Sequence, residues 1–129
     1  LTGAIIVSTP SDVALQDARK AIEMFRQVKV DIVGLAENMS YFICPHCHQE
    51  VDVFSKGGGE KTAQQFGIAF LGNIELDPDI RKAGDTGKPA VLAGEDSPHA
   101  KSLYALARKV EVRIAEIKSA APEGVIQIQ

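Results

Sequence analysis

Two apolar runs bracket a helical pattern at the start of this chain, and together they leave little freedom of fold. Gly3-Ala4-Ile5-Ile6-Val7-Ser8 is continuous in its apolarity, as strands are when a parallel sheet buries both of their faces. Thr9-Pro10-Ser11-Asp12 then reads as a turn with an N-cap. From Val13 to Val28 the apolar residues Ala14, Ala18, Ile22, Phe25 and Val28 recur at the spacing of one helical face. Val30 to Ala36 returns as a second apolar strand. Strand, amphipathic helix and strand make Gly3 to Ala36 one βαβ unit, which demands parallel strands and a right-handed crossover. The fold class is therefore α/β, a parallel sheet with flanking helices.

Beyond Asn38 the period changes. Tyr41-Phe42-Ile43 and Glu50-Val51-Asp52-Val53-Phe54 have strand composition, the second alternating polar and apolar, and predict a hairpin over residues 41–54. Gly57-Gly58-Gly59 breaks the chain, Glu60 to Phe66 predicts a short helix closed by Gly67, and Ala69 to Ile74 a third buried strand. Asp77-Pro78 opens a helical turn that Gly84 and Gly87 end. From Ser97-Pro98 to about Lys118, Leu103, Leu106, Ala107, Val110, Ile114 and Ile117 predict one long amphipathic helix. The 129 residues fit a single domain, with residues 122–129 a tail of no assignable role.

Composition excludes some classes of function. A formal charge of −3 provides no basic excess for nucleic acid or an anionic membrane. No apolar run approaches the roughly 20 residues that a membrane-spanning helix needs, and Leu1-Thr2-Gly3 carries no basic leader. The expected compartment is the cytoplasm, where a close cysteine pair serves metal or redox chemistry more often than structure.

That pair is Cys44-Pro45-His46-Cys47, the only cysteines in the chain. Two intervening residues let both sulfurs face one side of a tight knuckle, and Pro45 lowers the entropy lost on closing it. A tetrahedral zinc or a four-iron cluster wants four protein ligands, so two must come from elsewhere. His46 and His48 are adjacent and could complete a mixed Cys/His zinc site; exposed loop histidines are otherwise simply solvated. A thiol oxidoreductase is a further reading of the tetrapeptide. It needs the first cysteine at a helix N-terminus, whereas the residues after Cys47 alternate as a strand.

Several ordered segments resemble the C-terminal half of the Mrp/ApbC family of P-loop ATPases, iron-sulfur cluster carriers related to MinD and ParA. They are Thr2 to Pro10, Asp12-Val13-Ala14-Leu15, and Glu37-Asn38-Met39-Ser40-Tyr41-Phe42 running into the cysteines. Gly57-Gly58-Gly59-Glu60, Leu76 to Arg81 and Gly84 to Pro89 complete the set, so that the resemblance covers roughly Thr2 to Ile117. It implies a MinD-like sheet carrying an inserted cysteine hairpin. It implies that Cys44 and Cys47 ligate a [4Fe-4S] cluster shared across a homodimer and handed to apo iron-sulfur proteins. It also implies that Asn38 lies on the adenine side of an ATP pocket walled in part by Asp77 and Pro78.

The family's phosphate-binding loop is not in these 129 residues. Gly57 to Thr62 imitates its tail, but the two glycine positions that a Gly-x-x-x-x-Gly-Lys-Ser/Thr loop requires hold Ser55 and Glu60. Phosphoryl transfer then has no machinery here. The expectation is a truncated chain that binds ATP only when an N-terminal half is supplied, and that holds and delivers a cluster, with a structural zinc knuckle as the alternative.

Overall fold

A computed structural model describes residues 1–120; the tail expected over 122–129 lies outside the described residues. The elements in chain order are β1 (Ala4–Ser8), α1 (Asp12–Gln27), β2 (Ile32–Glu37), β3 (Phe42–Ile43), β4 (Glu50–Val51), α2 (Gly58–Phe66), β5 (Phe70–Asn73), α3 (Pro78–Asp85), a 3-10 turn at Ala90–Ala93, and α4 (Lys101–Ala120). β1, β2 and β5 form a parallel sheet with β2 in the centre, Ile6 opposite Leu35 and Glu37 opposite Asn73. β3 and β4 pair antiparallel, Phe42 opposite Val51.

The βαβ unit forms because its local signals agree. Ser11 caps α1 by accepting from the Ala14 amide, Asp12 stands in the first turn and Arg26 in the last, where the helix dipole favours each charge. The helix buries Leu15, Ala18 and Ile22. These meet strand residues of one parity, so that Ile6, Ala18, Ile22, Leu35 and Ala63 of α2 form the core on that face. Ile22 and Leu35 have no exposed surface at all.

On the opposite face α4 lies over β2 and β5. Arg113 donates from Nε to the Val33 carbonyl at 3.2 Å, and Gly34 leaves room for Leu71 of β5: a Cβ at Gly34 would stand 2.6 Å from Leu71 Cγ. β1 is left uncovered there. Ile5 is 41% and Val7 60% exposed, which corrects the expectation of a first strand buried on both faces. The physical reason is the reach of α4, which ends its cover at β2.

Two further expectations shift. α4 starts at Lys101, one turn later than Ser97-Pro98, because Ser97 to Ala100 closes its own turn, Ala100 N–H donating to Ser97 O at 3.0 Å, while His99 reaches away to Asp77. β4 stops at Val51 instead of running to Phe54. Asp52 Oδ1 accepts from the Lys56 amide at 2.8 Å, and Ser55 takes φ 65°, so the chain turns where the alternation suggested it would extend. Among the described residues no helix is long and apolar enough to cross a membrane.

Candidate metal centre and nucleotide face

Cys44 to Gln49 closes the β3–β4 ladder. The Cys44 amide donates to Gln49 O at 3.0 Å and the His48 amide to Cys44 O at 2.9 Å, with His48 at φ 58° where the chain reverses. Both cysteines are free thiols; Cys44 is half-buried and Cys47 exposed. The backbone amides of Cys47 and His46, and then the Cys47 thiol, point at the Cys44 sulfur and lower its pKa, which favours the thiolate that a metal needs. Cys44 follows strand β3 and no helix starts at it; the next helix, α2, begins at Gly58. The dipole that a disulfide oxidoreductase would use is therefore missing from this cysteine.

The thiols fit a metal or cluster as half of a ligand set. Among the described residues, the one group of three His, Cys, Asp or Glu side chains with donor atoms within 4.8 Å of one another is Asp77, Asp79 and His99. His46 and His48 do not join the cysteines in such a group. Among the described residues the turn gathers these two thiols and no third donor.

The two feet of this hairpin converge on Glu37, the last residue of β2. Its side chain is fully buried. Glu37 Oε1 accepts from the Ser40 hydroxyl at 2.6 Å and from the Gly57 amide at 3.0 Å, and Oε2 accepts from the Gly59 amide at 2.6 Å. Ser40 Oγ also stands 3.0 Å from the side-chain amide of Asn73. Outside the sheet, Lys56 lies over the Tyr41 ring at 4.4 Å and pairs with Glu50 at 2.6 Å, and the Leu76 amide donates to Tyr41 O at 2.8 Å. Hydrogen bonding to Glu50 is the first cause that raises the Lys56 pKa.

Asn38 follows directly, at the carboxyl end of the central strand. Its backbone N–H donates to Ser8 O at 2.8 Å and its Oδ1 accepts from the Met39 amide at 3.0 Å, so the side-chain oxygen serves the local turn and the NH₂ group has no partner among the described residues. Asp77 and Pro78 lie elsewhere. With Phe42, Pro45, His48 and Leu76 they line a cleft of about 650 Å³ between the cysteine hairpin and the start of α3, a cleft that Asn38 does not line. The cleft thus joins Asp77 and Pro78, while Asn38 stands at the end of the central strand.

The helical turn expected to open at Asp77-Pro78 is also where His99 lands. Asp77 does cap α3, accepting from the Asp79 amide at 2.7 Å, and it also pairs with His99 Nδ1. Burial opposes ionisation of Asp77, but the hydrogen bonds from His99 and the Asp79 amide, with the His99 charge, outweigh it and lower its pKa. The same hydrogen bond, against a smaller desolvation penalty, raises that of His99. Nothing in the local sequence of either residue could have shown this pairing across 22 positions.

A parallel sheet flanked by helices, with a Cys-x-x-Cys hairpin following the carboxyl end of its central strand, defines an α/β protein of the nucleotide-binding fold class. Residues 1–111 match the ParA-group model described as the NUBPL iron-transfer P-loop NTPase. The chain belongs to that family. An iron-sulfur cluster carrier protein of Pyrococcus horikoshii is 50% identical over 118 residues, 92% of this chain and 40% of that protein. The iron-sulfur cluster transfer protein NUBPL of Dictyostelium discoideum is 46% identical over 110 residues, 85% of this chain and 34% of that protein. This chain therefore spans about two fifths or less of those relatives. Among solved structures, a nucleotide-binding protein of Archaeoglobus fulgidus, in complex with ADP and with cobalt, superposes with a TM-score of 0.59 at 38% identity over 67% of this chain and 36% of that one. The cell division ATPase MinD of Pyrococcus furiosus, with a TM-score of 0.64 and 23% identity over 86% of this chain and 43% of its own, shares the fold.

Proposed function

We propose that this chain is the cluster-holding portion of an iron-sulfur carrier, binding a [4Fe-4S] cluster between the Cys44 and Cys47 thiolates of two copies and delivering it to apo iron-sulfur proteins. The observation that carries this reading is the ligand count: two free thiols on one exposed turn, Cys44 biased toward thiolate, and no third donor gathered with them among the described residues. Relatives named as cluster carrier and transfer proteins support the identity of the cargo. A cluster held at an exposed tip can be both shared and surrendered, since the receiving thiols can approach Cys47 from solvent.

ATP belongs to the same reading as a ligand of the longer protein. The Archaeoglobus fulgidus relative solved with ADP supports a nucleotide face, which Asn38, Asp77 and Pro78 would border. Most affinity for a nucleotide comes from its phosphates, and these 129 residues contain no phosphate loop; the chain alone should turn over no ATP until a complementing N-terminal half is added.

Anaerobic reconstitution with iron and sulfide tests the proposal. The expected product has broad sulfur-to-iron charge-transfer absorption, absent from Cys44→Ser and Cys47→Ser, and is a dimer by light scattering that reverts to monomer on chelation. Stoichiometric zinc with no uptake of iron would replace the carrier with a zinc knuckle. A monomer with a full iron complement would sink the bridging arrangement.

A further inference from the structure

We propose that Glu37 is the positioning residue of the cysteine hairpin, its buried carboxylate fixing the angle at which Cys44 and Cys47 leave the sheet. The proposal deepens the carrier reading, on which it rests for what the hairpin holds. A carboxylate without exposed surface is costly to bury, and an apolar side chain would fill the same space without that cost. What the carboxylate adds is three charge-assisted hydrogen bonds to two stretches of chain that the hairpin separates. Ser40 enters the hairpin and Gly57 leaves it, and both donate to the same oxygen.

The surroundings are shaped for this contact. Gly57, the N-cap of α2, has no side chain with which to cap its own helix, so Glu37 receives the free amides of Gly57 and Gly59 from the neighbouring strand. Gly59 has to lack a side chain: a Cβ there would stand 2.8 Å from Glu37 Oε2. Glu37 is thus joined to the sheet as the last residue of its central strand, to α2 by two amides, and to the hairpin by both feet. A cluster shared between two chains requires each knuckle to arrive at one orientation, and side chains locked behind the ligands supply that precision.

Hydrogen exchange and a cobalt(II) titration, whose thiolate charge-transfer bands report Cys44 and Cys47, separate positioning from general stability. In Glu37→Gln the side-chain NH₂ would face an amide donor. The amides of Gly57, Gly59, Cys44 and His48 should then exchange about tenfold faster or more, while the Leu35 amide in the sheet is unchanged, and cobalt affinity should fall by a similar factor. Glu37→Asp, too short to span both feet, should not restore either reading. Ser40→Ala, which removes one foot only, should produce a smaller change of the same pattern, and stands as the test if Glu37→Gln does not fold. Equal acceleration at Leu35 and at the hairpin, or cobalt affinity unaltered in both variants, would overturn the proposal. A wild-type protein that takes up no iron would defeat the carrier reading while leaving the exchange contrast intact.

Discussion

Adding one methyl group at Gly58 sets two terms of opposite sign against each other. Gly58 is the first residue of α2, and alanine is favoured over glycine inside a helix by at most about 1 kcal/mol, less in the first turn. Against this, a Cβ at Gly58 would lie 2.6 Å from Leu15 Cδ1 and 2.7 Å from Pro10 O. Leu15 is 1% exposed, and Pro10 O is backbone that cannot step aside as a side chain can. Overpacking of this kind costs roughly 1–3 kcal/mol, so Gly58→Ala should destabilise by about 1–2 kcal/mol. Gly84 in α3 provides the reference, because a Cβ there meets nothing within 4 Å and Gly84→Ala should stabilise by about 0.5 kcal/mol. Urea unfolding followed by circular dichroism should place the Gly58→Ala midpoint lower by roughly 0.5–1 M and the Gly84→Ala midpoint slightly higher, with unchanged slopes. A Gly58→Ala midpoint at or above wild type would refute the argument, since helix propensity would then outweigh the contact with Pro10.

Ile22→Ala should cost about 2–5 kcal/mol, read as loss of the unfolding midpoint, because a side chain with no exposed surface leaves a cavity between α1 and the sheet. The His99–Asp77 pair should make stability depend on pH. The His99 pKa is raised above 6.5, so its contribution is complete below that value and is lost as pH rises through the raised one. The Asp77 pKa is lowered below 3.8, so its contribution is present above that value and lost as pH falls through the lowered one. His99 is 44% exposed, and the pair should be worth about 0.5–1 kcal/mol after screening. Thermal unfolding of His99→Ala beside wild type should show that difference near about pH 5.5 and its loss near about pH 9; an equal difference at both would mean that the histidine acts by packing alone.

The parts of the fold that were legible from the sequence are those specified by local periodicity. The apolar faces of α1 and the two strands around it, the cap at Ser11 and the glycine stop at Gly67 all follow from neighbours within a few residues. What the sequence could not yield depends on contacts between distant segments. Val7 is as apolar as Val33, yet one is 60% exposed and the other 2%, because only the position of α4 decides which strand is covered. Asn38 drew notice as a ligand residue while Glu37 beside it did not, since nothing local distinguishes a buried carboxylate from a solvated one. A signal did exist, in the three consecutive glycines at Gly57 to Gly59, which announce a close approach without naming what approaches. The cysteine spacing pointed to metal chemistry from the start; the amides that bias Cys44 toward thiolate emerged only from the folded turn.

The meeting of both hairpin feet on one oxygen has a consequence for how such a chain can change. Ser40 and Gly57 are held together whatever lies between them, so residues 41–56 close a loop whose ends the sheet has already joined. Altering the length of such a loop costs little, on the order of 0.6 kcal/mol per doubling, and passes no strain to β1, β2 or β5. The scaffold can therefore be fitted with a different tip, longer or carrying other ligands, as a tool handle accepts another head.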